Sequence, residues 1–286
     1  MALRDSFHIS WQNDLAAFTL SSDVSAETAY PLTNLQSKIA NKPLVIDMTG
    51  ETTVAITDTD GATDRSATCF ALHNHNFPDG TTVRLRLYPD ATQGGTAVYD
   101  SGEVDVMHNV PFGALLAGID QIEGNFEDES SLKTHVSLWF DTVTYKSFQI
   151  DITNDSGFTD DLLQVDKGWL GAAYCPEYGP EQGFESNLIE GSEHQRKPGG
   201  GMETVQREVR RSLALEFKVM SNAERHTIRH MLDRAKKSGD LLVTMDPNDA
   251  KSMNYELTSI YRRTSSQSFV ARFFNGNDMA LMLEEN

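Results

Sequence analysis

The 286-residue chain is poor in the features that most directly name a function. It has two cysteines, Cys69 and Cys175, far apart and in no ligand-spacing motif. A buried free thiol is the expectation for each, with a structural disulfide between them the less favoured alternative. No window approaches the ~18 uninterrupted apolar residues of a membrane-spanning helix. The first residues, MALRDSFHISWQNDLAAF, carry charges inside their apolar pattern, unlike a secretory signal. Synthesis in a cytoplasm is therefore expected. There is no G-x-S-x-G, no nucleotide-binding glycine loop and no H-E-x-x-H. Gly199-Gly200-Gly201 lacks the Lys-Ser/Thr that would make it a phosphate cradle and reads as a flexible hinge. Neither a catalytic residue nor a cofactor site is assigned, and the chain is not expected to be an enzyme.

Positive charge is also scarce. Lys and Arg number 24 against 42 Asp and Glu, for a net charge of −18. The imbalance is uneven. Through Cys175 there are 25 acidic and 9 basic residues, a balance of −16; from Pro176 onward there are 17 and 15, a balance of −2. Such a step suggests two units with different surroundings. An acidic front argues against nucleic acid, which needs net positive patches. Its bland reading is a solvated, repulsive, soluble surface.

Most of the chain reads as short strands between turn residues. Cys69–His75 and Thr81–Tyr88 flank Phe77-Pro78-Asp79-Gly80, a hairpin signal, because Pro pre-sets φ and Asp-Gly accepts positive φ. In the second of these strands Val83, Leu85 and Leu87 alternate with polar side chains, as on a half-buried sheet. Further strands are expected at 44–48, 53–57, 97–99, 104–107, 135–140, 145–152 and 165–172. Strands at this spacing indicate a jelly-roll β-sandwich over 21–175, preceded by an N-terminal segment 1–20 that could complete a sheet in either unit. Residues 176–203 hold repeated Pro and Gly and read as a long loop or arm. The last unit, 204–286, is a second mostly-β domain with one packed helix. It begins with a long alternating strand through Val219, followed by a helix over 221–238. Ser221 and Glu224 form its capping box, Ile228, Met231, Leu232 and Ala235 share one face, and Gly239 is the expected residue after its end. Strands at 241–245, 255–262 and 268–274 complete the unit.

Several of these segments resemble a known family. AYPLTNL at 29–35, the HN element and V-R-L-R-L-Y run at 73–88, and V-Y-D-S-G at 98–102 resemble galactose-binding-like jelly-roll modules of tailed-phage tail-tip proteins. R-S-L-A-L-E-F at 211–217 with S-N-A-E-R-H-T-I-R-H-M-L at 221–232 is similar to the ring-forming domain of phage distal tail proteins. The order of the two, jelly roll first, departs from that family's commonest arrangement. The resemblance implies a virion structural protein of the tail tip, assembled in the host cytoplasm. It further implies a homo-oligomer ring that joins the tail tube protein to a tail hub or receptor-binding proteins. The alternative is a carbohydrate-binding module that recognises host-surface glycans; exposed Trp or Tyr platforms would favour it, whereas Trp139 and Trp169 lie in core-like contexts. A hydrolase accessory subunit is the third reading.

The remaining candidate residues are weighed against plainer roles. His73 and His75 could share one face of a strand as a metal pair, but no third ligand follows at a useful spacing, and a rim of polar strand ends is the preferred reading. The acidic runs at 58–64, 123–129 and 151–161 could hold calcium, yet Asp58-Thr59-Asp60-Gly61 lacks the later ligands and closing Glu of a calcium loop. No metal site is assigned. Arg207, Arg210 and Arg211, with the Gly199, Gly200 and Gly201 hinge, are the expected oligomer interface. The long strand after the hinge would otherwise leave an open edge, and its arginines would meet carboxylates of a neighbouring subunit.

Overall fold

The alternation of residues 44–171 resolves into two antiparallel sheets that face each other. The computed structural model describes residues 7–39, 42–58, 61, 63–78, 80–106, 135–177, 179–180, 185–191, 193–196, 202–205, 209–245, 247, 258–265, 269–273 and 276–285. One sheet runs β2 (Leu20–Ser22), β4 (Thr53–Asp58), β10 (Ser147–Thr153), β6 (Thr82–Tyr88), with β7 (Tyr99–Asp100) and β8 (Val104–Asp105) both paired to β6. The other runs β3 (Leu44–Asp47), β11 (Leu162–Gly171), β5 (Arg65–His75), β9 (His135–Tyr145). Inward residues such as Val54, Ile56, Phe70, Leu72, Val83, Leu85, Phe148 and Ile150 fuse into one core, the jelly-roll sandwich expected from the sequence.

The expected hairpin is not one. β5 pairs with β9 and β11, while β6 pairs with β10, β7 and β8, so the turn at 76–81 carries the chain from one sheet to the other. The turn chemistry is real, since Thr81 donates its backbone N–H (3.2 Å) and its hydroxyl (2.6 Å) to the Pro78 carbonyl. Partner choice is decided instead by the apolar faces. Both strands bury one face, and only by arching over do those faces meet across the core.

The second unit is built on a larger antiparallel sheet: β12 (Ala173–Tyr174), β1 (His8–Ser10), β17 (Asp240–Thr244), β18 (Thr258–Arg263), β20 (Gly276–Glu285), β16 (Val209–Met220), β13 (Glu185–Glu190), with β19 (Phe269–Phe273) also on β20. Helix α1 (Asn222–Ala235) covers one face, setting Ile228, Met231 and Leu232 against Phe217, Leu215, Leu281 and Leu283. The Ser221–Glu224 capping box is present in full, and the second Glu224 oxygen accepts from Glu177 N at 2.8 Å, tying the chain ahead of the arm to the helix. The helix ends earlier than expected. Lys236, not Gly239, takes the left-handed turn, at φ 56. Gly239 has a separate reason to be glycine, because a Cβ there would lie 2.1 Å from the Ala235 carbonyl.

Three further differences follow from the pairing. The N-terminal segment serves both units: β1 completes the second sheet, while Leu15 and Phe18 enter the sandwich core. The 176–203 region, expected as a loop or arm, contains strands. β13 pairs with β16, and β14 (Glu193–Arg196) pairs with β15 (Met202–Val205) as a two-stranded ribbon of its own. β20, the strand that touches both β18 and β16, was not among the expected strands at all.

The N-terminal and C-terminal passages between the units lie side by side, since Ser10 opposes Ala173 and Ile9 opposes Tyr174. At this neck a Cβ on Gly171 would sit 2.1 Å from the Gln12 carbonyl oxygen. Backbone cannot yield as a side chain can. Gly171→Ala is expected to destabilise the protein by about 1–3 kcal/mol, the range for overpacking. A Cβ on Gly168 meets only Leu15 and Leu35 side-chain carbons at 2.8 Å, so Gly168→Ala should cost less. Urea midpoints of the two variants check the order; equal midpoints would refute it.

Candidate functional site

The chemistry-bearing side chains of this protein gather in the seam between the units. On β5, Phe70 and Leu72 point into the sandwich core, which sends Cys69 and Ala71 to the opposite face. On β11, Leu170 and Val165 are core residues and Trp169 belongs to that outer face. Leu242 and Ile260 of the second sheet close on Cys69, Ala71 and Trp169. The Trp169 indole N–H donates to Ser10 Oγ at 3.0 Å, and Ser10 donates in turn to the Ala172 carbonyl at 2.8 Å. Burial pushes the Cys69 thiol up to about 12, which makes it an inert packing residue.

Two polar clasps flank this apolar patch. In the first, Lys167 Nζ donates to Asp240 Oδ2 at 2.5 Å, and Arg262 Nε donates to Asp240 Oδ1 at 2.7 Å. Burial lowers the Lys167 pKa, against the pull of Asp240. Arg262 also donates to the carbonyl of Lys38 in the sandwich. In the second clasp Glu285 is the hub. Ser259 Oγ donates to Glu285 Oε1 at 2.6 Å, Arg211 reaches it at 2.9 Å, and His73 Nε2 lies 3.1 Å from Ser259 Oγ and 3.7 Å from Glu285 Oε1. Because the Ser259 proton is spent on Glu285, its oxygen accepts, and His73 donates through Nε2. Burial alone would raise the Glu285 carboxyl, but the nearby His73 ring, the hydrogen bonds and charge of Arg211 and the Ser259 hydroxyl together hold it far below the usual range.

A serine, a histidine and a carboxylate in contact invite a catalytic reading, and the geometry refuses it. In a nucleophilic triad the carboxylate orients the histidine from its far nitrogen. Here both the histidine and the carboxylate touch the serine oxygen itself, and all three groups are buried. The arrangement is a hydrogen-bonded clasp. Its pH signature has a definite sign. The Glu285 pKa is depressed on folding, so its stabilisation is fully present above its ordinary value of 4.5 and is lost as pH falls below it. Asp14 acts oppositely: burial raises its carboxyl despite Gln12 and Arg65, so protonation relieves it in acid. The excess unfolding free energy of wild type over Glu285→Gln is therefore expected to shrink from pH 6 to pH 3; a gap constant with pH would contradict this.

The structure disperses most of the expected site. Arg211 is mostly buried and paired with Glu285 inside the chain, whereas Arg210, 3.4 Å from Glu284, keeps a side chain that is 53% exposed. The long strand is not open along its whole edge, because β13 covers Val209–Ala214. Arg207, Gly199, Gly200 and Gly201 lie outside the described residues, as does the acidic run at 123–129. His73 and His75 do not act as a pair: Asn74 between them has φ 53, His73 joins the clasp, and His75 stacks on Phe77 at 4.1 Å. Asp58 accepts from Phe148 N at 2.7 Å and from Gln93 Nε2 at 3.0 Å. Among the described residues no group of three or more His, Cys, Asp or Glu side chains is placed to hold a metal ion. Nor is any helix among them long and apolar enough to cross a membrane.

What sequence reasoning missed is the clasp set, whose hydrogen-bonded side chains lie as many as 186 residues apart in the chain. It also missed the exposed apolar residues of the second unit, Leu188 (70%) and Ile189 on the terminal strand β13, Val270 on β19 and Met282 (52%) on β20. Of the three tryptophans only Trp169 is fully buried, in the seam; Trp139 packs partly buried against the seam and Trp11 partly buried against the second core.

No protein-family model matches this sequence, and no curated protein matches it. Solved structures do. A chitosan-binding module from a chitosanase/glucanase of Paenibacillus sp. IK-5 is 10% identical over 57% of this chain and 99% of that one, with a TM-score of 0.37. A GH29 fucosidase from Ruminococcus gnavus is 8% identical over 57% of this chain and 27% of that one, at 0.38. CpGH89CBM32-6, produced by Clostridium perfringens, is 9% identical over 56% of this chain and 98% of that one, at 0.32. The match spans about a quarter of the fucosidase's length. The two-sheet assignment above rests on this chain's own strand pairing.

Proposed function

We propose that this chain is a non-catalytic structural protein of a phage tail tip, in which an assembly unit forms a homo-oligomer ring and carries the sandwich. The observation behind this reading is the arm. β13 is the last strand of its sheet, it displays Leu188 and Ile189, and the ribbon β14–β15 beyond it pairs only with itself among the described residues. An isolated two-stranded ribbon is marginal in water and an open strand edge invites a partner. A neighbouring copy offers both, and a head-to-tail contact that closes gives a ring. The ring would sit between a tail tube protein and a hub or receptor-binding protein in the virion, with no nucleic acid and no membrane insertion. Light scattering on the full chain should give a closed oligomer, with rings in negative-stain images. A monomer at every concentration would end this reading.

The second reading takes the sandwich as a glycan-binding module. None of the three similar structures described above is a tail protein, and one is by name a chitosan-binding module. The observation in its favour is Tyr30, an aromatic ring 42% exposed on the sandwich. Binding to a glycan array that Tyr30→Ala abolishes would establish it, and a blank array would remove it. Both readings can hold in one protein, since they use different units.

A further inference from the structure

We propose that the sandwich is hinged on the second unit and that the two polar clasps hold the hinge shut. The chain passes between the units at only one place among the described residues, where the β1 and β12 passages lie against each other. This is a two-stranded neck, the minimum connection for an inserted body. Away from it the buried apolar cluster of the seam is Cys69, Ala71 and Trp169 against Leu242 and Ile260, with Trp139 packed on it and 5.7 Å from the His8 ring. Contacts between units of one chain permit relative motion by default unless the interface is large and hydrophobic. Charged hydrogen bonds supply the rest: Lys167 and Arg262 on Asp240, and His73 with Ser259 and Arg211 on Glu285.

The clasps are asymmetric. Asp240 and Glu285, the acceptors at their centres, both belong to the second unit, and each is reached by a sandwich side chain. A buried cation that loses its anion is strongly unfavourable in place. Neutralising both carboxylates therefore leaves the buried Lys167 and the mostly buried Arg211 a reason to seek water. The neck gives them a route that does not unfold either unit. The device is a domain hinge of the familiar closing kind, and it stands whether or not the chain forms rings.

The test uses the full chain with Asp240→Asn and Glu285→Gln together. Because the three tryptophans border the seam or the neck, their fluorescence reads its opening. The double variant is expected to keep wild-type far-ultraviolet circular dichroism while its emission shifts to the red, acrylamide quenching rises and the radius of gyration grows. An unchanged radius and quenching overturn the proposal, and so does loss of both units in one step. Arg211→Gln with Glu285→Gln is the second variant, since it removes one clasp without stranding a charge. It should quench between wild type and the first variant, and wild-type quenching from it counts against the hinge.

Discussion

A chain lacking residues 1–12 is expected to lose the fold of its second unit while the sandwich survives. β1 is an internal strand, hydrogen-bonded to β17 on one side and β12 on the other, so its removal opens the sheet rather than trimming an edge. Phe7 and Ile9 are buried, and Phe7 meets the Phe217 ring edge-on at 5.3 Å. Truncating single buried residues of these types costs about 2–5 kcal/mol each. Two of them with a strand's backbone partners exceed much of the ~5–15 kcal/mol that holds a domain together. Leu15 and Phe18, retained in the shorter chain, still fill the sandwich core. Calorimetry of the shortened chain should show one transition in place of the full-length profile, with proteolysis removing residues beyond about 172. A second unit that stays folded would show that β1 is dispensable.

That dependence explains what could and could not be read in advance. Strand rhythm is local, so most elements of the sandwich and the alternating run ending at Val219 were legible from residue periodicity. Helix α1 was legible for the same reason: the Ser221–Glu224 box and the Ile228, Met231, Leu232 face are written within one short stretch. Partner choice is not local. Pro78 and Gly80 make a turn whether the next strand folds beside β5 or across the core from it, and the sequence near the turn is the same in both cases. Residues 8–10 carry no mark of which sheet they join. β20 was missed because its five inward residues, Asn277, Met279, Leu281, Leu283 and Glu285, begin with a buried amide and end in a buried carboxylate whose partners come from β16, β18 and the sandwich. A buried glutamate reads as a solvated one until its partners are known. The same blindness made Arg211 look like a surface contact.

The last expectation separates the roles of the units. Phe148→Ala is expected to destabilise the sandwich by about 3–5 kcal/mol, because Phe148 is fully buried and the cavity it leaves is bounded by rigid neighbours. Its ring meets Phe18 edge-on at 5.2 Å, and its strand is bonded on both sides, to β4 and to β6. Neither sheet can close around the gap without breaking that pairing. A loss of that size lowers the melting temperature by roughly 6–20 °C for a unit of this length. Phe148→Leu refills most of the volume and should cost much less. The assembly contacts proposed above belong to the second unit, so below its lowered melting point Phe148→Ala should still form the same oligomer as wild type. Leu188→Asp should do the reverse, leaving the melting temperature near wild type because the side chain is exposed, but dispersing the oligomer. Oligomers lost in Phe148→Ala at a temperature where its sandwich is folded would place the sandwich inside the assembly contact and displace β13 from it.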